Sequence, residues 1–147
     1  MVFRLSRVSW VGRDFAGLLQ AAAGSGNGFC YSAAAAEACA IRDALLACID
    51  NGFVNVIIEP DAKVIIQMLR KELTHDFSLE CLLGDIALLE RRLTSVTFAF
   101  VSRENNRAAH SVAKFVFKES RAFVWDCIGS EFLFNILAPD VNISIRL

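Results

Sequence analysis

Residues 33–61, AAAAEACAIRDALLACIDNGFVNVIIEPD, constrain the chain more than any other stretch. No Gly or Pro falls between residues 33 and 51, and Ala and Leu dominate, so the spacing predicts a helix over 33–51. Asn51-Gly52 then marks a turn, residues 54–59 a buried strand, and Pro60-Asp61 the opening of a second helix. A helix feeding directly into a strand is expected to pack against it.

One residue breaks the amphipathic pattern. At about 100° per residue Arg42, Asp43 and Asp50 share a polar side. Glu37 instead lines up with Ile41, Ala44 and Cys48, which is the apolar stripe. A carboxylate on a core-facing stripe is costly unless it is neutralised, paired or bound to a cation. Asp61 lies just past the carboxyl end of the following strand, so the two acids are expected to converge at one end of a sheet. Converging carboxylates suit Mg²⁺, a hard cation that prefers oxygen. Two plainer roles stand beside this one. Asp61 is also a good N-cap for the next helix, and Glu37 in a first turn meets the positive end of the helix dipole.

The run AEACAIRDALLACIDNGFVNVIIEPDAKVIIQML, with Ala36-Glu37-Ala38, Gly52 and Glu59-Pro60-Asp61 in that order and spacing, resembles the ribonuclease H-like domains abundant in plant genomes, relatives of type 1 ribonuclease H and of the reverse-transcriptase ribonuclease H domain. A second run, FAFVSRENNRAAHSVAKF, matches at Arg103, Asn106, Ala109, His110 and Ala113. Arg13-Asp14 and Gly17 match the turn between the family's second and third strands. The resemblance spans residues 8–140 and treats the whole chain, residues 1–147, as one domain. It implies an α/β fold: a three-layer domain with a mixed sheet and helices on both faces. It also implies an RNA–DNA hybrid endonuclease whose two metal ions, about 4 Å apart, are clamped by four carboxylates.

Carried over position by position, Glu37 and Asp61 match the second and third carboxylates and are the expected metal ligands. His110 stands at the fourth, and imidazole is a poor ligand for Mg²⁺. An ordinary satisfied histidine is its plainer role. The family's first carboxylate belongs to an opening strand; only about seven residues precede the matched part here, none of them acidic. The expectation is a domain truncated at its first, central strand. Either residues 1–7 partly substitute for it, or neighbouring strands close up, or the product is unstable; a vacant slot would also accept a strand from a protein partner. The resemblance therefore implies a catalytic set of Glu37, Asp61 and His110, a weakly held Mg²⁺, and cleavage that is weak or lost. A catalytically dead interaction module, or a fragment derived from a retroelement, is the other expectation. Arg103, Asn106 and Arg107 are the expected nucleic-acid contacts, with Lys63, Arg70 and Lys71 along the same edge; hybrid or duplex shape is what such a surface reads.

Composition sets outer bounds. The 147 residues are 55% hydrophobic and 21% charged, which argues against disorder. A formal net charge of −1 gives no global basic signal, so nucleic acid must be met by a local patch. Five cysteines without a C-x-x-C pair read as free thiols in a reducing compartment, hence an intracellular protein of nucleus or cytoplasm. No run of residues reads as a signal peptide or a membrane span.

Along the rest of the chain, residues 2–12 favour a strand, 13–17 a turn, 18–23 a returning strand and 24–28 a flexible tip. Residues 62–72, 77–92 and 107–121 have helical spacing. Residues 95–102 form a strand apolar on both faces, for which helices on both sides are expected. The segment 125–140 resembles the family's closing short helix.

Overall fold

The computed structural model describes residues 1–6, 9–25, 32–75 and 77–125. Six strands form one sheet: β1 Val2–Ser6, β2 Ser9–Arg13, β3 Leu19–Ser25, β4 Asn55–Pro60, β5 Ser95–Phe98 and β6 Ala122–Trp125, in the spatial order β5-β4-β1-β2-β3-β6. β1 runs antiparallel to β2 and parallel to β4, so the sheet is mixed. The four helices are α1 Ala33–Asp50, α2 Lys63–Leu69, α3 Phe77–Glu90 and α4 Arg107–Glu119, the last entered through a 3₁₀ turn, Arg103–Asn106.

The expected truncation is not what the chain does. The single strand anticipated over residues 2–12 is two strands, with Ser6 paired to Ser9. The first of them, Val2–Ser6, occupies the central slot between β2 and β4. The cause is its alternation. Phe3 and Leu5 point to one face and are fully buried, while Arg4 and Ser6 point to the other. No slot is left for a partner's strand at the sheet centre. What residues 2–6 lack is the acid, because VFRLS contains none.

Two cores follow from the two faces. On one, Phe3, Leu5, Trp10, Val56 and Ile58 meet Ile41, Ala44, Leu45 and Cys48 of α1, Ile65 of α2 and Ile86 of α3. Side chains of this size contribute about 1.5–3 kcal/mol each when fully buried. On the other, Val11 and Ala22 pack under Ala108, Ala109, Val112 and Val116 of α4. Ala at positions 35, 36, 38, 40 and 44 lets α1 lie close to its neighbours. α1 begins at Ala33, capped by the Ser32 hydroxyl accepting from the Ala35 N–H, so Glu37 falls beyond the first turn. The dipole role expected for it is correspondingly reduced.

Other boundaries moved for local reasons. α2 stops at Leu69, with Lys71 at φ 59°, and α3 stops at Glu90. β5 ends at Phe98; its Ser95 and Thr97 are exposed while Val96 and Phe98 pack on the core, so helices cover one of its faces among the described residues. β3 takes in Gly24 and Ser25, and the remainder of the expected tip at 26–28 lies outside the described residues. β6, which the sequence reading did not anticipate, includes Trp125; residues 126–140 of the expected closing helix also lie outside. The turn at Asp14 is as expected: its carboxylate accepts from the Leu18 N–H and from Gln20, and Gly17 takes φ 83°.

Candidate active site

Because β1 and β4 are parallel neighbours, their carboxyl ends open on the same edge of the sheet, where ligands of α/β folds commonly bind. A cavity of about 450 Å³ lies there, lined by Ser6, Glu37, Asp61 and Arg103 together with small and apolar residues of α1 and α2. Four separate elements deliver the polar groups. Ser6 ends β1, Glu37 sits on the buried side of α1, Asp61 follows β4, and Arg103 opens the 3₁₀ turn.

Glu37 and Asp61 thus converge on one cavity. Glu37 is 5% exposed, as its place on the apolar stripe requires. Asp61 does not cap α2, whose N-cap is Ala62 with no side-chain bond. Its Oδ2 instead accepts from the Ser6 hydroxyl at 3.4 Å. One rung back along the same strand pair, Arg4 Nε donates to Glu59 Oε2 at 2.8 Å. Glu59, the nearest spare acid to the site, is thereby engaged by Arg4, and it is not among the cavity-lining residues.

His110 is half-buried on the first turn of α4 and does not line the cavity. Among the expected nucleic-acid contacts, Arg103 and Arg107 are exposed at the start of the 3₁₀ turn and of α4. Asn106 is not at the surface. It is fully buried, and its side-chain amide donates to the Leu5 carbonyl of the central strand. Its place is explained by what it fastens rather than by a phosphate it would touch. Lys63 lies over the Phe100 ring at 4.7 Å, and Arg70 donates to the Phe98 carbonyl at 3.0 Å.

The anchoring of the 3₁₀ turn was missed by sequence reasoning. Arg4 Nη1 donates to the Asn105 carbonyl at 2.8 Å, Asn106 holds Leu5, and the Ser9 hydroxyl donates to the Ala109 carbonyl at 2.9 Å. Three side-chain bonds therefore tie the segment carrying Arg103 to β1 and β2. Ser6 was missed too. The available signal was Arg4 and Ser6 spaced by two on an otherwise apolar strand.

A family model described as reverse transcriptase-like matches residues 3–116. The chain belongs to the reverse transcriptase-like family. Among solved structures, ribonuclease H1 from the halophilic archaeon Halobacterium salinarum NRC-1 is similar with a TM-score of 0.72 at 20% identity, over 81% of this chain and 99% of that one. The N-terminal ribonuclease H domain of a Mycobacterium tuberculosis protein, solved as a fusion with maltose-binding protein, is similar with a TM-score of 0.54 at 16% identity, over 58% of this chain and 62% of that one. A comparison with curated proteins found no match. At these identities the structural likeness speaks for the fold, and the fold of this reverse transcriptase-like chain is ribonuclease H-like.

The donor set can be held against the metal content the family implies. Two carboxylates and a hydroxyl do not make the four-carboxylate clamp that two ions need. Among the described residues no group of three or more His, Cys, Asp or Glu side chains is placed to hold an ion. A single Mg²⁺ fits better, since that ion is often held by one or two carboxylates, with phosphate oxygens and water completing its shell. Glu37 and Asp61 would hold it, and its chemistry there would be neutralisation of phosphate charge.

Proposed function

We propose that this chain is a ribonuclease H-type nucleic-acid-binding domain whose substrate class is the RNA–DNA hybrid, and whose hydrolytic activity is weak or lost. The observation that carries the proposal is the composition of the cavity at the carboxyl edge of β1 and β4. Glu37 and Asp61 meet there, and the strand that brings the family's first carboxylate ends in Ser6. The exposed Arg103 and Arg107 lie on the segment entering α4, where they are available to backbone phosphates.

The test uses the purified 147-residue chain and a labelled RNA–DNA hybrid, with double-stranded DNA as competitor, in Mg²⁺ or Mn²⁺. The expected result is hybrid binding that weakens in an Arg103→Ala/Arg107→Ala double variant, with cleavage absent or many orders of magnitude below that of a two-ion enzyme. Binding no tighter than that of the double variant would remove the binding claim. Cleavage that survives in Glu37→Gln and Asp61→Asn would place the chemistry elsewhere.

A further inference from the structure

The disagreement between this cavity and a two-ion clamp has a direct consequence for how a phosphate is held. We infer that Arg103 supplies the cation for the phosphodiester in this cavity, so that hybrid binding does not require a divalent ion. The inference rests on the proposed function and names the group that performs its binding step.

Charge is the first argument. Four carboxylates facing one guanidinium repel a phosphodiester much more strongly than two do. Here the hydroxyl of Ser6 stands on β1 and His110 stands off the cavity, leaving two carboxylates and the Arg103 guanidinium on the wall. One of the two acids, Glu37, is buried, and the other, Asp61, accepts the Ser6 hydroxyl. Arg103 is exposed, so its guanidinium is open to an incoming phosphate. A guanidinium also offers the planar donor pair that matches phosphate oxygens, and it holds its charge at any working pH.

Preorganisation is the second argument. A long exposed arginine loses much of its binding energy to ordering, unless its backbone is already fixed. The turn that begins at Arg103 is fastened by Arg4 to the Asn105 carbonyl and by Asn106 to the Leu5 carbonyl, both reaching the rigid central strand. Arg4 and Asn106 are positioning residues in this account, and Arg103 is the group that touches the ligand.

The experiment measures hybrid affinity by fluorescence anisotropy in EDTA, then in Mg²⁺. The proteins are the native chain, Arg103→Gln, Arg103→Lys, and Arg91→Gln as a control of equal charge change at the end of α3. The native chain and the Arg91→Gln control are expected to bind in EDTA within about threefold of their affinity in Mg²⁺. Arg103→Gln should bind about tenfold or more weakly in EDTA, with the slope of log affinity against log salt less steep by about 0.9, the loss of one phosphate contact. Arg103→Lys should recover part of the affinity. Glu37→Gln and Asp61→Asn should bind more tightly in EDTA, because each removes a repelling charge. Binding that appears only with Mg²⁺ overturns the inference and leaves the proposed function standing. Binding in EDTA that Arg103→Gln leaves intact also overturns it. No binding under either condition overturns both.

Discussion

Replacing Gly12 by Ala tests, by sign alone, whether Val2–Ser6 is the central strand. Gly12 lies on β2 directly across from Phe3 on β1. A Cβ added at Gly12 would stand 2.6 Å from Cε1, 2.9 Å from Cζ and 3.1 Å from Cδ1 of the Phe3 ring. Carbon atoms in ordinary contact sit about 3.5–4.0 Å apart, so the ring would have to retreat by roughly an ångström. It has little room to do so. Phe3 is fully buried and packs against Trp10 with centroids 5.5 Å apart. Overpacking of this kind costs about 1–3 kcal/mol. If β1 were elsewhere and its neighbours had closed up, the same substitution would relieve a strand glycine and stabilise the fold by about 0.5–1 kcal/mol. Urea unfolding followed by circular dichroism distinguishes the two, with a melting point lower by about 2–4 °C per kcal/mol as a second reading. A Phe3→Leu change in the Gly12→Ala background should recover part of the loss, because the distal ring atoms are the ones struck. A stabilised Gly12→Ala protein, or strictly additive effects of the two changes, would refute the placement of β1.

Two further predictions concern stability. Asn106→Ala removes the amide that holds the Leu5 carbonyl in the middle of the sheet, and should cost about 1–3 kcal/mol in urea unfolding, with hybrid binding weakened beyond that of a Val112→Ala protein destabilised to a similar degree. Burial pushes the Cys48 thiol up from 9.0 to about 12. The folded state therefore favours the protonated thiol, so this contribution is fully present below pH 9 and is lost as pH rises from about 9 towards 12, at up to about 1.4 kcal/mol per pH unit. A Cys48→Ala protein, whatever its overall stability, should show a shallower decline across that window, and alkylation at neutral pH should reach the exposed Cys81 long before Cys48.

The parts of this fold that were legible in the sequence are those where periodicity and burial agree. The apolar stripe of α1 placed Glu37 inward because Ile41, Ala44 and Cys48 share its side, and the strand read over 54–59, observed as Asn55–Pro60, put Asp61 at the sheet edge. The central strand was harder to read. Five residues, VFRLS, are too few to separate by pattern from the strand that follows, and only the register shows that they turn back on it. Arg4 shows nothing of its role in sequence. Its partners, Glu59 and the Asn105 carbonyl, lie 55 and 101 residues away, and no local pattern carries such pairings. Asn106 was misplaced for the same reason. A polar side chain between Arg103 and Arg107 looks like surface until the carbonyl it must satisfy is known.

Ser6 links the fold to the chemistry, and Ser6→Asp makes the link measurable. The substitution puts a third acid on the cavity wall, beside an oxygen of Asp61 that now accepts the serine hydroxyl at 3.4 Å. Without a cation, two carboxylates that close repel by up to about 4 kcal/mol at the effective dielectric of a partly exposed site, less what water and salt screen. The variant in EDTA should therefore melt below the native chain. Mn²⁺ should return most of that loss, because a third carboxylate completes a donor set that Glu37 and Asp61 provide only in part. The native chain should shift little over the same titration. Thermal melts in EDTA and in rising Mn²⁺ give both numbers without any assay of cleavage. An equal response of the two proteins to Mn²⁺ would mean that residue 6 does not face the acids, and that the cavity is not the meeting point of these side chains.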